Sequence, residues 1–431
     1  MTDKKKTKKN AILLLTLACV LQSGCAFMGK SETKVVTVNS ESYYKDDATR
    51  TYINYEDGAV QGDEKETTIL QADELDGVEL SYAADYFLMS LTEKECEVYK
   101  QIFYGLQNFE PQIYITNGVI KQEDICSFIV LCTTTVPAIN YIGEEYTVSI
   151  DDDGYVTAVK VNYSKTQEEA AKENAELEKR IDTIVSKLHS DWTDYDKVKY
   201  FHDTIIKNCQ YNEQGEYAYS AYGALCKGEA VCEGYTKAML LLCEKAGIGC
   251  IPVIGEGLEN ENTLPHIWNK IIINNYWYDF DLTWDDPVNN ISDDYIRYDY
   301  FAINDTAMGA DHIIDENMYL NYPSADAGDN YFVRSGLYAE NADEAVEIMK
   351  KAVSDAMAAN DDYARIKCAD AAVYAQAYEN IFKAEEGQTT EIFRILREVV
   401  EENGYEQYSN QGYSEITNAD MFTLTIRLNR K

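Results

Sequence analysis

Histidine is scarce in this chain: four occur among 431 residues, at His189, His202, His266 and His312. Any side-chain base working near neutral pH must therefore come from very few places. Positive charge is scarce as well. Lys and Arg total 38 against 75 Asp and Glu, a formal net charge of −37. That balance excludes a nucleic-acid partner, because phosphate contact needs clustered Lys and Arg, and it reads as surface solubility. Eleven cysteines are present, yet no Cys-x-x-Cys pair occurs. This argues against a structural zinc site and a thiol oxidoreductase. The acidic run "DDDG" at 151–154 lacks the remaining ligands of an EF-hand loop, so no metal and no cofactor is expected.

Long apolar runs are also missing. The most apolar stretch, "AILLLTLACVL", is too short to span a bilayer as a mature helix. It follows a basic segment, "MTDKKKTKKN", and precedes Ser23-Gly24-Cys25. This order is that of a signal peptide. The Ser-Gly-Cys end resembles a bacterial lipobox, with Cys25 lipidated as the mature N-terminus. It departs from the pattern at Gln22, where an aliphatic residue is preferred. Ordinary signal cleavage is the alternative. Residues 1–24 are read as a lipoprotein signal peptide, and residues 25–80, polar and acidic, as a flexible linker holding the rest off a membrane. Secretion permits disulfides, but the nine cysteines after Cys25 are dispersed and odd in number.

Ordered patterning begins near Leu80. Residues 81–165 read as a small α/β region, with helices over "EKECEVYKQIFYGL" and "EDICSFIVLCTTT", a strand at "PQIYITNGV", and two strands about the Asp153-Gly154 turn. Residues 166–320 open with Thr166 and Glu169, a capping-box pair, ahead of a helix whose apolar face includes Ala170, Leu177, Ile181 and Ile184. A second helix, "DYDKVKYFHDTIIKNC", carries His202 on its apolar face, where a hydrogen-bonded core histidine is expected. Residues 321–431 read as a C-terminal α+β domain, with strands at "YFVRSGLYA" and "MFTLTIRLN" and helices between them. No internal repeat is found.

The chemistry concentrates between Lys227 and Asp281. Cys232 lies where a Gly-containing loop gives way to a helix-period stripe of Tyr235, Met239, Leu242 and Ala246. In a first helical turn, unpaired N–H groups and the positive dipole end favour a thiolate and offer donors to an oxyanion. Among the histidines, His189 ends a charged helix and His312 sits in an acidic loop with no visible partner. His266 is informative. "HIWNKIII-NN-YWYDFDLTW" reads as a hairpin about Asn274-Asn275. Ile273 then pairs with Tyr276 and His266 falls opposite Thr283. His266 and Asp281 become diagonal neighbours on one face, roughly 7–8 Å apart at Cα. Asp279 shares that face further along. The other face, Ile267, Ile271, Ile273, Tyr278, Phe280 and Leu282, is apolar except for Asn269. Two solvated polar residues on an exposed sheet face would fit the same pattern.

"AYGALCKGEAVCEGYTKAM" followed by "PHIWNKIIINNYWYDFDLTWDDP" resembles the transglutaminase-like superfamily of bacterial secreted proteins, over about residues 166–315. The resemblance implies a papain-like core, in which a helix bearing Cys packs on an antiparallel sheet bearing His and Asp. It implies Cys232 as nucleophile, His266 as general base and then acid, and Asp281 as the group that fixes the His266 tautomer. The second oxyanion donor is unassigned. Tyr219 and Tyr222 are weak candidates with packing as the alternative, and Trp268, Trp277 and Trp284 either wall a groove or pack the core.

The reading is an α+β protein with a transglutaminase-type core flanked by small α/β regions. Its expected activity is thiol acyl transfer as a peptidase or amide hydrolase on surface or cell-wall-associated protein or peptide, with transglutaminase-type crosslinking as the alternative and the membrane reached through a lipid anchor. The rival from another class is a binding module that keeps the fold without the reaction.

Overall fold

The computed structural model describes residues 34–36, 52–54, 69–71, 74–75, 77–259, 262–286, 295–315, 319–385 and 387–431. The signal-peptide segment and Cys25 lie outside the described residues, as does most of the 25–80 linker. Among the described residues, no helix is long and apolar enough to cross a membrane. The architecture mixes helix and sheet throughout.

The first part comprises strands β1 (Lys34–Val36) and β2 (Tyr52–Asn54), helices α1 (Tyr82–Leu88) and α2 (Glu93–Gln107), β3 (Gln112–Tyr114), α3 (Ile125–Thr134), β4 (Ile142–Ile150) and β5 (Val156–Tyr163). The strands run in the order β1-β4-β5-β3, with β2 also on β4. Six residues of the segment read as a linker are thus strands on β4. Helix α3 is apolar on nearly every side and is enclosed on nearly every side, as such a helix must be.

The middle part holds α4 (Gln167–Val185), α5 (Asp194–Asn208), β6 (Gln210–Tyr211), a π-helical turn at Gly223–Lys227, β7 (Glu229–Ala230), α6 (Cys232–Lys245), β8 (Cys250–Glu259), β9 (Asn262–Ile273), β10 (Tyr276–Phe280), α7 (Leu282–Asp285), β11 (Phe301–Ile303), α8 (Asp305–Met308) and β12 (His312–Ile314). Thr166 caps α4 in a full capping box with Glu169, which satisfies two of the orphan N–H groups of its first turn. The central sheet is antiparallel in the order β11-β10-β9-β8-β12. Asn274 and Asn275 take φ of 53° and 67°, the left-handed pair that a two-residue hairpin requires. The resulting register runs Ile273↔Tyr276 to Asn269↔Phe280 and stops there, so Thr283, expected opposite His266, lies instead in helical turn α7. His312 is therefore a strand residue paired opposite Gly257, not part of a loop.

Helix α6 lies on the apolar face of β8 and β9. Met239, Leu242, Ile271 and Ile273 are all fully buried there, and each contributes about 1.5–3 kcal/mol by leaving water. Two polar pins set the helix along the strand: Thr236 Oγ1 donates to the Ile267 carbonyl at 3.1 Å, and Asn269 Nδ2 donates to the Thr236 carbonyl at 3.2 Å. Asn269, the polar exception on this face, is explained by that contact. Gly234 permits the close packing behind the first turn, since a Cβ there would stand 2.5 Å from the Ala218 carbonyl oxygen and 2.7 Å from Ala230 Cβ.

The last part is α9 (Tyr331–Arg334), β13 (Tyr338–Ala339), α10 (Ala342–Ala359), β14 (Tyr363–Cys368), α11 (Ala371–Phe382), α12 (Glu391–Asn403), β15 (Tyr408–Asn418) and β16 (Thr423–Arg430). "YFVRSGLYA", expected as one strand, is instead a helical turn and a two-residue strand. The Asn330 side chain accepts from the Phe332 and Val333 N–H groups and starts a helix, and Gly336 at φ +65° turns the chain out of it.

Candidate active site

Cys232 is the first residue of α6, and it is 4% exposed. Its N-cap, Val231, supplies no side-chain cap, so nothing on the N-cap competes for the first-turn N–H groups. Backbone hydrogen bonds from Ile267 and Glu233 favour its thiolate. Thus the sulfur reaches β9 at the residue following His266. The thiol itself is pushed up to about 12, first by burial, then by the negative charges of Glu233 and Asp281. The sequence reading expected the helix dipole to lower it. Desolvation of the thiolate outweighs the dipole here, and the resting sulfur is a neutral thiol.

His266 Nε2 and Asp281 Oδ2 stand 2.6 Å apart. The hairpin register brings them together, and Asp281 ends that register by becoming the N-cap of α7. Its other oxygen accepts from the Thr283 N–H at 2.9 Å and the Trp284 N–H at 3.1 Å. The cap thus holds one oxygen while the other faces both histidines. Burial alone would raise its pKa, but the His266 and His312 contacts hold it well below the usual carboxylate range. With Nε2 committed to Asp281, Nδ1 is the ring nitrogen of His266 left for a proton from elsewhere.

His312 is the residue that the sequence reading missed. Its Nε2 lies 3.0 Å from the same Asp281 Oδ2, and its Nδ1 lies 2.7 Å from Asp311 Oδ1. Its partner is not visible in the local sequence, because the contact depends on β12 pairing with β8. Trp284 tilts over His312 and His266 with ring centroids 4.4 and 5.7 Å away, and forms a half-buried wall of the site. Trp268 is core: it is 1% exposed and donates Nε1–H to Asp279 Oδ1 at 2.9 Å. Trp277 packs edge-on against Tyr86.

Asp279 takes no part in this cluster. It pairs with the buried Lys270 ammonium at 2.8 Å, and its carboxyl is pushed up to about 6, chiefly by burial. His202 is the core histidine expected, with Nδ1 and Nε2 each 3.1 Å from a carboxylate oxygen of Asp203 and Asp285. His189 is exposed and stacks on Trp192. Tyr222 directs its hydroxyl away, donating to Glu176 at 2.7 Å. Tyr211, which the sequence reading passed over, has its phenol pKa raised by burial and then by the Cys232 charge, so this strand residue lies near the sulfur. None of the nine described cysteines is bridged.

His266, Asp281 and His312 are the described residues that could hold a metal ion, their donor atoms falling within 4.8 Å of one another. The carboxylate-to-imidazole distances of 2.6 and 3.0 Å fit hydrogen bonds better than tetrahedral zinc, whose ligand atoms stand about 3.3 Å apart for bonds near 2.0 Å. The arrangement suits proton transfer: a neutral nucleophile, an imidazole with one free nitrogen, and a carboxylate locked in place.

The family model described as "Transglutaminase-like superfamily" matches residues 182–282. That span contains Cys232, His266 and Asp281, and stops before His312. Curated proteins gave no match. Among solved structures, a candidate cysteine protease from Cytophaga hutchinsonii is similar at 16% identity and a TM-score of 0.22, over 30% of this chain and 51% of that one. A protein described as a TGase is similar at 13% identity and a TM-score of 0.24, over 43% of this chain and 48% of that one. The chain thus spans about half the length of each.

Proposed function

We propose, from the premise that residues 182–282 form a transglutaminase-like superfamily domain, that the protein is a thiol acyl-transfer enzyme that hydrolyses amide bonds in protein or peptide. The observation that carries this reading is the 2.6 Å contact of His266 with a capped, ionised Asp281, whose charge reaches the thiol at the N-terminus of α6. A buried carboxylate–imidazole pair also serves the core at Asp285 and His202; what favours catalysis over a binding module is that the Asp281 charge reaches the Cys232 thiol.

The neutral resting thiol shapes the mechanism. His266 Nδ1 accepts the Cys232 proton as the sulfur attacks the carbonyl carbon. The developing imidazolium is stabilised by Asp281, and first-turn N–H groups of α6 face the oxyanion. Collapse of the tetrahedral species breaks the C–N bond, and the proton on His266 goes to the leaving amine. The Cys232 thioester is then attacked by water, deprotonated by the same nitrogen, and releases the acid and the free thiol. An amine in place of water gives transamidation.

The reaction is placed at an extracytoplasmic membrane surface, with the chain anchored through a lipid on Cys25. Supporting this are the basic segment, the short apolar run and Ser23-Gly24-Cys25. A Cys25→Ser variant is expected to leave the membrane fraction; unchanged fractionation, with an unacylated wild-type N-terminus, refutes the anchor.

The activity test is digestion of a cell-surface peptide mixture by wild type and Cys232→Ala, read by mass spectrometry, with and without a primary amine. New carboxyl termini or deamidated side chains made only by wild type support hydrolysis. Amine adducts in excess over hydrolysis products favour transamidation, and identical products from both proteins remove the enzymatic reading.

A further inference from the structure

Both ring nitrogens of His312 face carboxylate oxygens: Nε2 faces Asp281 at 3.0 Å and Nδ1 faces Asp311 at 2.7 Å. An ionised carboxylate only accepts hydrogen bonds, and a neutral imidazole carries a single N–H. A neutral His312 would therefore leave a lone pair pointed at a carboxylate oxygen, in a side chain with 0% exposure. One carboxyl would otherwise have to carry the proton. Asp281 accepts from both histidines and from the Thr283 and Trp284 N–H groups, a set that fits the anion alone. Asp311 accepts in addition from the Tyr300 hydroxyl at 2.6 Å.

We infer that His312 is a positioning residue of the site: an imidazolium held between Asp281 and Asp311 that orients the Asp281 carboxylate toward His266 and offsets part of its charge. His266 then works as a base against a carboxylate that already shares its charge with a second cation. Without His312, the whole Asp281 charge would fall on His266. The inference about His266 rests on the proposed roles of Cys232, His266 and Asp281. The charge state of His312 does not.

Several groups surround His312. Asp281 faces it from the N-cap of α7 and Asp311 from its own segment. His266 on β9 lies 5.3 Å away between ring centroids, and Tyr300, just before β11, lies 5.5 Å away. Lys367 on β14 feels the charges of Asp299, Asp285 and Asp311, and Cys232 feels that of Asp281. Trp268 and Trp284 close the remaining sides at 5.0 and 4.4 Å. Tyr300 ties the cluster to the sheet: its carbonyl accepts the Asp281 N–H at 3.1 Å while its hydroxyl donates to Asp311. Burial alone would lower the pKa of His312, but Asp281 and Asp311 raise it to about 9.

Four histidines make the direct test tractable. In full-length protein labelled with 15N in its imidazole rings, His312 should show two protonated ring nitrogens at pH 7.5 and titrate above pH 8. His202→Gln separates its signals from those of the other doubly paired histidine. A neutral His312 at pH 7 overturns the inference whatever the activity. The second arm follows alkylation of Cys232 by iodoacetamide against pH in wild type, His312→Gln and Asp311→Asn, with melting temperatures recorded. The acid limb of the alkylation profile should move up by about one to two pH units in His312→Gln, from Coulomb's law for a unit charge lost 5.3 Å from the neighbouring ring with an effective dielectric of about 20–40. Asp311→Asn should move it in the same direction by less. A lowered melting temperature with an unmoved limb makes His312 merely structural and refutes its positioning role. A wild type with an imidazolium at His312 but no acyl transfer refutes the proposed function and spares the charge state.

Discussion

Replacing Asp281 with Asn keeps the shape of the side chain and changes one atom that matters. The carbonyl oxygen of Asn can still cap α7 by accepting from the Thr283 and Trp284 N–H groups, as Asp281 Oδ1 does at 2.9 and 3.1 Å. The NH2 group then falls where Oδ2 received His266 Nε2 at 2.6 Å and His312 Nε2 at 3.0 Å. A donor meets two donors. His266 escapes by moving its proton to Nδ1 and accepting at Nε2, and this removes the base from the side on which Cys232 reacts. By analogy with other triads the loss in kcat is on the order of 10⁴, about 5.5 kcal/mol of transition-state stabilisation. The fold should lose far less. His312 forfeits one of two charged partners, worth about 1–3 kcal/mol, while the retained cap holds α7. The assay is kcat on any peptide substrate found, beside a thermal melt. A variant that folds and turns over within tenfold of wild type would refute the account of Asp281.

Lys270 is 1% exposed and neutralises Asp279, so Lys270→Met strands a buried carboxylate; a loss of about 3–5 kcal/mol in unfolding free energy is expected by urea titration, and a change under 1 kcal/mol would contradict it. Asp279→Asn should lower the melting temperature and spare kcat, because Asp279 contacts Lys270 and Trp268 and neither His266 nor His312; the reverse pattern, full stability with lost turnover, would contradict that. The folded-state pKa of His312 is raised to about 9, against about 6.5 unfolded. Its contribution to stability is therefore complete below pH 6.5 and is lost as pH rises through 9, about 3 kcal/mol in all. Wild type should lose more stability than His312→Gln between pH 6.5 and 9 in urea titrations, and parallel curves would contradict it.

The hairpin was legible because everything that sets it is local. Two adjacent asparagines tolerate positive φ, alternation fixes the faces, and the His266–Asp281 contact follows by counting. Cys232 at the start of α6 was legible for the same reason, from a helix-period stripe beginning after glycines. Two things were not. His312 reaches Asp281 through a strand pairing of β12 with β8, and nothing near "GADHIIDE" announces that edge strand. The sign of the Cys232 shift also failed, because a helix dipole can be inferred from position, whereas the desolvation that outweighs it depends on how tightly the rest of the fold closes over the sulfur. "YFVRSGLYA" has strand-like composition, yet the Asn330 cap and Gly336 turn decide its conformation. Local side-chain hydrogen bonding overrides propensity there.

The central claim is that Cys232 carries an acyl group from an amide with His266 as base. Its most direct test is an acid-quenched reaction of the full chain with an activated peptide ester and with a peptide amide mixture, followed by peptide mapping of intact thioesters. The account predicts an acyl adduct on Cys232 in wild type, none on the other described cysteines, and its loss from both mixtures in Cys232→Ala. In His266→Ala it predicts little adduct from amides and a residual adduct from the activated ester, which needs no proton on its leaving group. Acylation of His266→Ala by amides at the wild-type rate, or no Cys232 adduct in a folded wild type that consumes the peptides, would contradict it.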